Sequence, residues 1–176
     1  MKTTLITILL IAASVTLSAQ EEKIHQEKMK VFEAWVGRWQ GNGWMQMGPG
    51  EPKKFVVNEV IESKLDATIL LVEGIGKSGE SQSGSEAIVH HALAILSYDK
   101  SSDQYKLRSH LKNGRSTEAW FTVSGDNKFQ WGFDTPQGKV RYSITIDPVA
   151  KTWHEFGEFG IEGNWKKFIE MTLKKS

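Results

Sequence analysis

From Lys54 to the end of the chain, apolar and polar residues alternate with a period of two, and short clusters of turn formers interrupt the alternation. Each uninterrupted stretch predicts a half-buried strand. The stretches are 54–65, 68–77, 86–99, 104–112, 115–123, 128–133, 139–147, 152–159 and 164–173. With 38–47 included, the expected count is about nine or ten strands. Upstream the period is different. Over 21–36, Ile24, Val31, Phe32 and Trp35 fall on one face of a helix, acidic residues occupy its first turn, and Gly37 follows it.

The breaks between strands are short: Asp99-Lys100-Ser101-Ser102-Asp103, Asn113-Gly114, Ser124-Gly125-Asp126-Asn127, Thr135-Pro136-Gln137-Gly138 and Asp147-Pro148. Asn113-Gly114 predicts a two-residue hairpin of type I′, since both residues tolerate positive φ. Loops this short make sequential strands antiparallel neighbours, and a long meander removes its two unpaired edges by closing on itself. The expected fold is therefore all-β, a closed antiparallel up-and-down β-barrel with a short N-terminal helix. Two segments depart from the rhythm. Gly48-Pro49-Gly50-Glu51-Pro52 is a stiff link, and 74–85, rich in Gly and Ser, predicts a long loop at one mouth of the barrel. Gly76-Lys77-Ser78 does not make a phosphate-binding loop: the position five residues before Gly76 is Leu71, and no helical pattern follows.

The first nineteen residues change where this barrel is expected to work. Lys2 precedes a mostly apolar stretch, Leu5 to Leu17, that is short for a membrane span, and Ser18-Ala19 offers small residues for cleavage before Gln20. This predicts a signal peptide over 1–19 and one secreted or periplasmic domain over 20–176, with the helix in 20–36 and the barrel in 37–176. No stable membrane insertion is expected after cleavage. The chain has 22 basic and 21 acidic residues; without Lys2 the balance is 21 to 21. A neutral chain gives no electrostatic reason to bind nucleic acid. Cysteine is absent, which excludes disulfides, thiolate metal sites and cysteine nucleophiles.

Candidate chemistry is confined to residues that alternation points into the barrel. Gly37 and Trp39 are expected to plug the closed end, the glycine allowing a close approach and the indole filling it. Trp44, Trp120 and Trp131 are candidate walls of an apolar pocket, as aromatics in a barrel interior either fill it or line it. Trp153 and Trp165 sit on further late strands. Glu59 and Glu118 alternate with apolar neighbours and are expected to face inward, where, opposite Arg108 or Arg141, they would orient a polar ligand or form internal ion pairs. His90 and His91 are adjacent on a strand, so one faces in and one out, and His91 is the candidate ligand contact. The histidines show no metal-ligand spacing, and no metal is expected. No serine lies in a nucleophile elbow, and nothing separates a catalytic acid from an internal ion pair, so no catalytic residues are assigned.

Val36-Gly37-Arg38-Trp39-Gln40-Gly41-Asn42-Gly43 resembles the opening Gly-x-Trp-x-Gly-x-Gly of calycin and lipocalin-like barrels, nitrobindins among them. Together with Leu70-Leu71-Val72-Glu73-Gly74 and Leu96-Ser97-Tyr98-Asp99, the chain is similar to an uncharacterised family of secreted bacterial calycin-like proteins. The resemblance implies a barrel of about ten strands with the helix near one end. It also implies a basic side chain from a late strand over Trp39, for which Lys166 or Lys167 is placed. Nitrobindins bind haem through a late-strand histidine, and the matching position is His154. The leading expectation is a monomeric or homodimeric barrel that holds a small, partly apolar molecule in its lumen without a cofactor. The alternatives are a haem protein ligated by His154 and a structural or interaction module with a filled interior.

Overall fold

A computed structural model describes residues 20–78 and 87–176. The signal-peptide expectation lies outside the described residues, as does most of the loop expected over 74–85. Among the described residues no helix is long and apolar enough to cross a membrane.

Ten antiparallel strands form a closed barrel: β1 Gly37–Met45, β2 Lys53–Lys64, β3 Ile69–Ser78, β4 Ala87–Asp99, β5 Gln104–Leu111, β6 Ser116–Gly125, β7 Lys128–Thr135, β8 Gly138–Asp147, β9 Thr152–Ile161 and β10 Asn164–Lys175. Every ladder joins consecutive strands except the seam, where β1 pairs with β10. The seam is drawn tight at its end: the Ser176 amide donates to the Arg38 carbonyl across 3.0 Å.

The strand period places one row of side chains inside and the next outside. Trp39, Val57, Ile61, Leu70, Leu96, Phe121, Phe129, Ile144, Trp153 and Leu173 mark the inner rows, all of them buried. Among the described residues the helix covers 20–29 and tightens to a 3₁₀ helix over Lys30–Trp35. It lies across the end of the barrel that carries the β2–β3, β4–β5, β6–β7 and β8–β9 turns. Gln26 donates to the Asp66 carbonyl, Lys28 pairs with Asp103, and Lys100 pairs with Glu21. Phe32 and Trp35 push into the barrel from this lid.

Two local expectations need correction. Gly74–Ser78 is the end of strand β3 rather than loop, because it pairs with both β2 and β4. The Asn113-Gly114 turn is not type I′. Only Gly114 has positive φ, and the Gly114 amide donates to Leu111 while Leu111 bonds Arg115, which makes a three-residue hairpin loop. A two-residue hairpin with both residues at positive φ occurs instead at Glu162-Gly163.

Candidate functional site

The interior divides into two zones. At the lid end the aromatic rings pack edge to face. Trp35 lies 4.6 Å from Trp153 and 5.1 Å from Phe129, and Phe32 meets Tyr105 and Phe121 at 5.1 and 5.5 Å. Trp39 completes the plug, its Nε1 donating to the Trp35 carbonyl at 2.7 Å. The basic residue over its ring is Lys175, 5.1 Å from the centroid, rather than Lys166 or Lys167. The Lys175 Nζ also donates to the Ala34 carbonyl, which ties β10 to the helix. Gly37 makes this possible: it has φ +138°, and a Cβ there would lie 2.6 Å from the Lys175 side chain.

Beyond the plug, the inner wall carries acids. Glu155 on β9 is 6% exposed and accepts from two indoles, Trp153 Nε1 at 3.1 Å and Trp131 Nε1 at 3.4 Å. Trp131 on β7 stacks on Tyr142 of β8, centroids 4.0 Å apart and rings 5° from parallel. Glu59 on β2 shares the inner face with Val57 and Ile61 and lies between Trp39 and Gly74 in the register. Its carboxyl rests on the bare backbone of β3: a Cβ on Gly74 would come within 2.6 Å of Glu59 Oε1. Gly157 plays the same part beneath Tyr142.

Burial raises both acids, Glu59 from 4.5 to about 8, with the Glu155 charge adding to the effect, and Glu155 to about 7 despite its indole donors. Tyr142 is raised as well, by burial first and the Glu155 charge second. Among the described residues neither the Glu59 carboxyl nor the Tyr142 hydroxyl makes a hydrogen bond. Both lie deep in the protein and yet keep accessible surface. Both groups are on the inner face, so that surface faces a space between the strands above the plug, a chamber bounded by Glu59 and Tyr142.

The other expected site residues are on the outer wall. Trp44 alternates with the inward Gly43. Glu118 pairs with Arg108 at 2.9 Å, and Trp120 is 45% exposed and covers Gly132. Glu118 does share a face with Trp120, but that face is the outer one, and the inward residues are Ala119 and Phe121. Arg141 pairs with Glu158 at 2.8 Å and stacks on Trp165 at 3.9 Å. His91 binds Glu73 at 2.8 Å, and it is His90 that shares the inner face with Gly76. His154 binds Glu170 at 2.9 Å, with Lys167 on the same carboxylate, and does not reach the lumen. Of the expected ligand contacts, the chamber brings together Glu59 and Trp131. Glu155 and Tyr142 were legible in the alternations Trp153-Glu155-Gly157-Phe159 and Val140-Tyr142-Ile144-Ile146. A groove of about 570 Å³ outside, between the lid and the β4–β5 hairpin, has its charges mutually paired, Lys106 with Asp99 and Lys100 with Glu21. Among the described residues no three groups are placed to hold a metal ion.

No protein-family model matches the sequence, and no curated protein matches it. Solved structures do. Rv2717c from M. tuberculosis superposes with a TM-score of 0.60 over 84% of this chain and 96% of that one, at 11% identity. The S-type phycobiliprotein lyase CPES from Guillardia theta superposes with a TM-score of 0.53 over 86% and 93%, at 13% identity. At such identities the likeness is one of fold alone, that of the closed ten-stranded antiparallel barrel.

Proposed function

We propose that this protein is a carrier that holds a small, partly apolar molecule in the chamber above its aromatic plug, exported to the periplasm or beyond by residues 1–19. The observation that carries the reading is the combination at Glu59 and Tyr142: deep in the wall, exposed to interior space, and without a hydrogen-bond partner among the described residues. A packed structural core has no use for an unpartnered acid, because burying one costs several kcal/mol. A binding cavity does, since a few convergent polar groups on an apolar wall are what orients a ligand. Phe55, Val72, Trp131, Phe133 and Met171, which pack against the core, supply that wall. The likeness to a phycobiliprotein lyase agrees with a barrel that handles a small molecule. No turnover is part of the proposal.

Native mass spectrometry on protein recovered from its own exported fraction tests it. A discrete extra mass released by denaturation, on a polypeptide beginning near Gln20, is the expected result. A bare polypeptide that also fails to take up the neutral dye Nile red would mean the lumen is closed to ligands, and the carrier reading would fall.

A further inference from the structure

Resting on that carrier reading, we propose that the molecule held in the chamber is an organic cation, a protonated amine on an apolar body, with its nitrogen seated against Glu59 and Glu155. The argument starts from a count of charge. Glu155 reaches the chamber from β9 and Glu59 from β2, and their neighbours are Tyr142 from β8, Trp131 from β7, Trp39 from β1 and Gly74 from β3. Among the described residues neither acid has an ion-pair partner. Among the described residues the charge that acts on Glu59 is that of Glu155, and it is of the same sign. The pair therefore stays ionised only at a high cost, or keeps a proton that a better partner would displace.

The hydrogen-bonding inventory narrows the partner further. Glu155 is satisfied by the two indole donors, which hold it in place. Once ionised, Glu59 offers about four lone-pair sites, and no described residue uses one. What the chamber lacks is a donor without acceptors, and an ammonium group is donor-only. A hydroxyl ligand would satisfy one oxygen and leave the acid either holding its proton or with its charge uncompensated. A carboxylate ligand would add a third negative group to a desolvated pocket, where like charges repel most strongly. A divalent metal would compensate the charge, but no third ligating side chain joins the pair among the described residues. An organic cation meets the charge, the donor and the apolar-wall requirements together.

Three probes of one shape decide the matter: 4-phenylbutylamine, 4-phenylbutanol and 4-phenylbutyrate, titrated calorimetrically into the 20–176 protein at pH 7.5, with Nile red as an independent report on the lumen. The amine is expected to bind at least tenfold more tightly than the alcohol, and the butyrate weakest. In Glu59→Gln and in Glu155→Gln the ratio of amine to alcohol affinity should fall towards one. An alcohol that equals the amine, or a ratio untouched by both substitutions, overturns the proposal. If Nile red binds and none of the three probes does, the proposal falls while the carrier reading stands. If Nile red does not bind either, both fall.

Discussion

The two ends of this barrel's interior are built from the same alternating strands and have opposite characters. At the lid end the fully buried inward side chains are rings and aliphatic groups. Phe32, Phe129, Leu96 and Leu173 have no accessible surface at all, and among the described residues Trp35 Nε1 is the only side-chain polar atom wholly shut off from solvent that lacks a hydrogen-bond partner, whereas Glu59 and Tyr142 keep accessible surface. A few ångströms further along the same strands, Trp39 gives way to Glu59 across the ladder, and Trp153 to Glu155 two residues on. The stability of the barrel comes from the first zone, and its unmet chemistry lies in the second. A lid of rings lets the opposite zone remain under-packed, since the core needed for folding is already complete without it.

The largest test of this division is removal of the plug. Trp39→Ala and Phe32→Ala are each expected to cost about 3–5 kcal/mol in denaturant unfolding. A cost under about 1 kcal/mol would mean that the lid is not part of the core. Next in size is pH. In the folded protein Glu59 keeps its proton up to about pH 8, whereas in the unfolded chain it loses it near pH 4.5. Between these values the native state binds more protons than the unfolded state, so the empty barrel should lose stability as pH rises through this window and none below it. Glu59→Gln should remove the Glu59 share of that slope, leaving the smaller share of Glu155, and stabilise the empty protein at pH 9 by on the order of 3 kcal/mol. Melting curves at pH 5, 7 and 9 read the difference, and parallel curves for the two proteins would show that Glu59 is not buried as described.

Smaller effects sharpen the boundary between the zones. In Gly74→Ala the new methyl would collide with the Glu59 carboxyl at 2.6 Å, so about 1–2 kcal/mol of stability should be lost. The lumen affinity for Nile red should fall with it, whereas an unchanged affinity would place the dye elsewhere. Smallest of all are the outer pairs. Glu118→Ala and His154→Ala should each change stability by less than about 1 kcal/mol and leave lumen binding as it was. Any large effect of His154 on ligand uptake would return a role to that side of the wall.

The fold was readable because it depends on a repeated signal. Period-two alternation and short turns recur along the chain, and errors in single residues, such as the conformation at Asn113 or the fate of Gly74–Ser78, do not disturb the meander. The site depends on phase, which a single strand does not declare. Trp120 looked like an inward marker, yet it lies outside because Gly132 leaves a hollow there for the indole. The same substitution of glycine for bulk hid Arg141, whose partner Trp165 fills the space above Gly160. Glu59 was placed correctly because Val57 and Ile61 flank it on one face. Glu155 needed only the same reasoning applied to Trp153 and Gly157. The resemblance implied a basic residue over Trp39 but placed it at Lys166 or Lys167, because the tie between Lys175 and the Ala34 carbonyl requires the barrel to be closed first.

That closure has a kinetic side. Nine of the ten ladders join neighbours in sequence and can form as hairpins while the chain is still incomplete. The tenth joins β1 to β10, and at its end Ser176 reaches Arg38, 138 positions away. Until that strand docks, the chain is an open sheet whose first and last edges are exposed and whose tryptophan-rich inner face is wetted. Ring closure over such a separation carries the greatest loop entropy in the molecule. The slow, aggregation-sensitive event in folding should therefore be the docking of β10. Variants that clip or extend the chain beyond Leu173 should slow refolding far more than they lower the final stability.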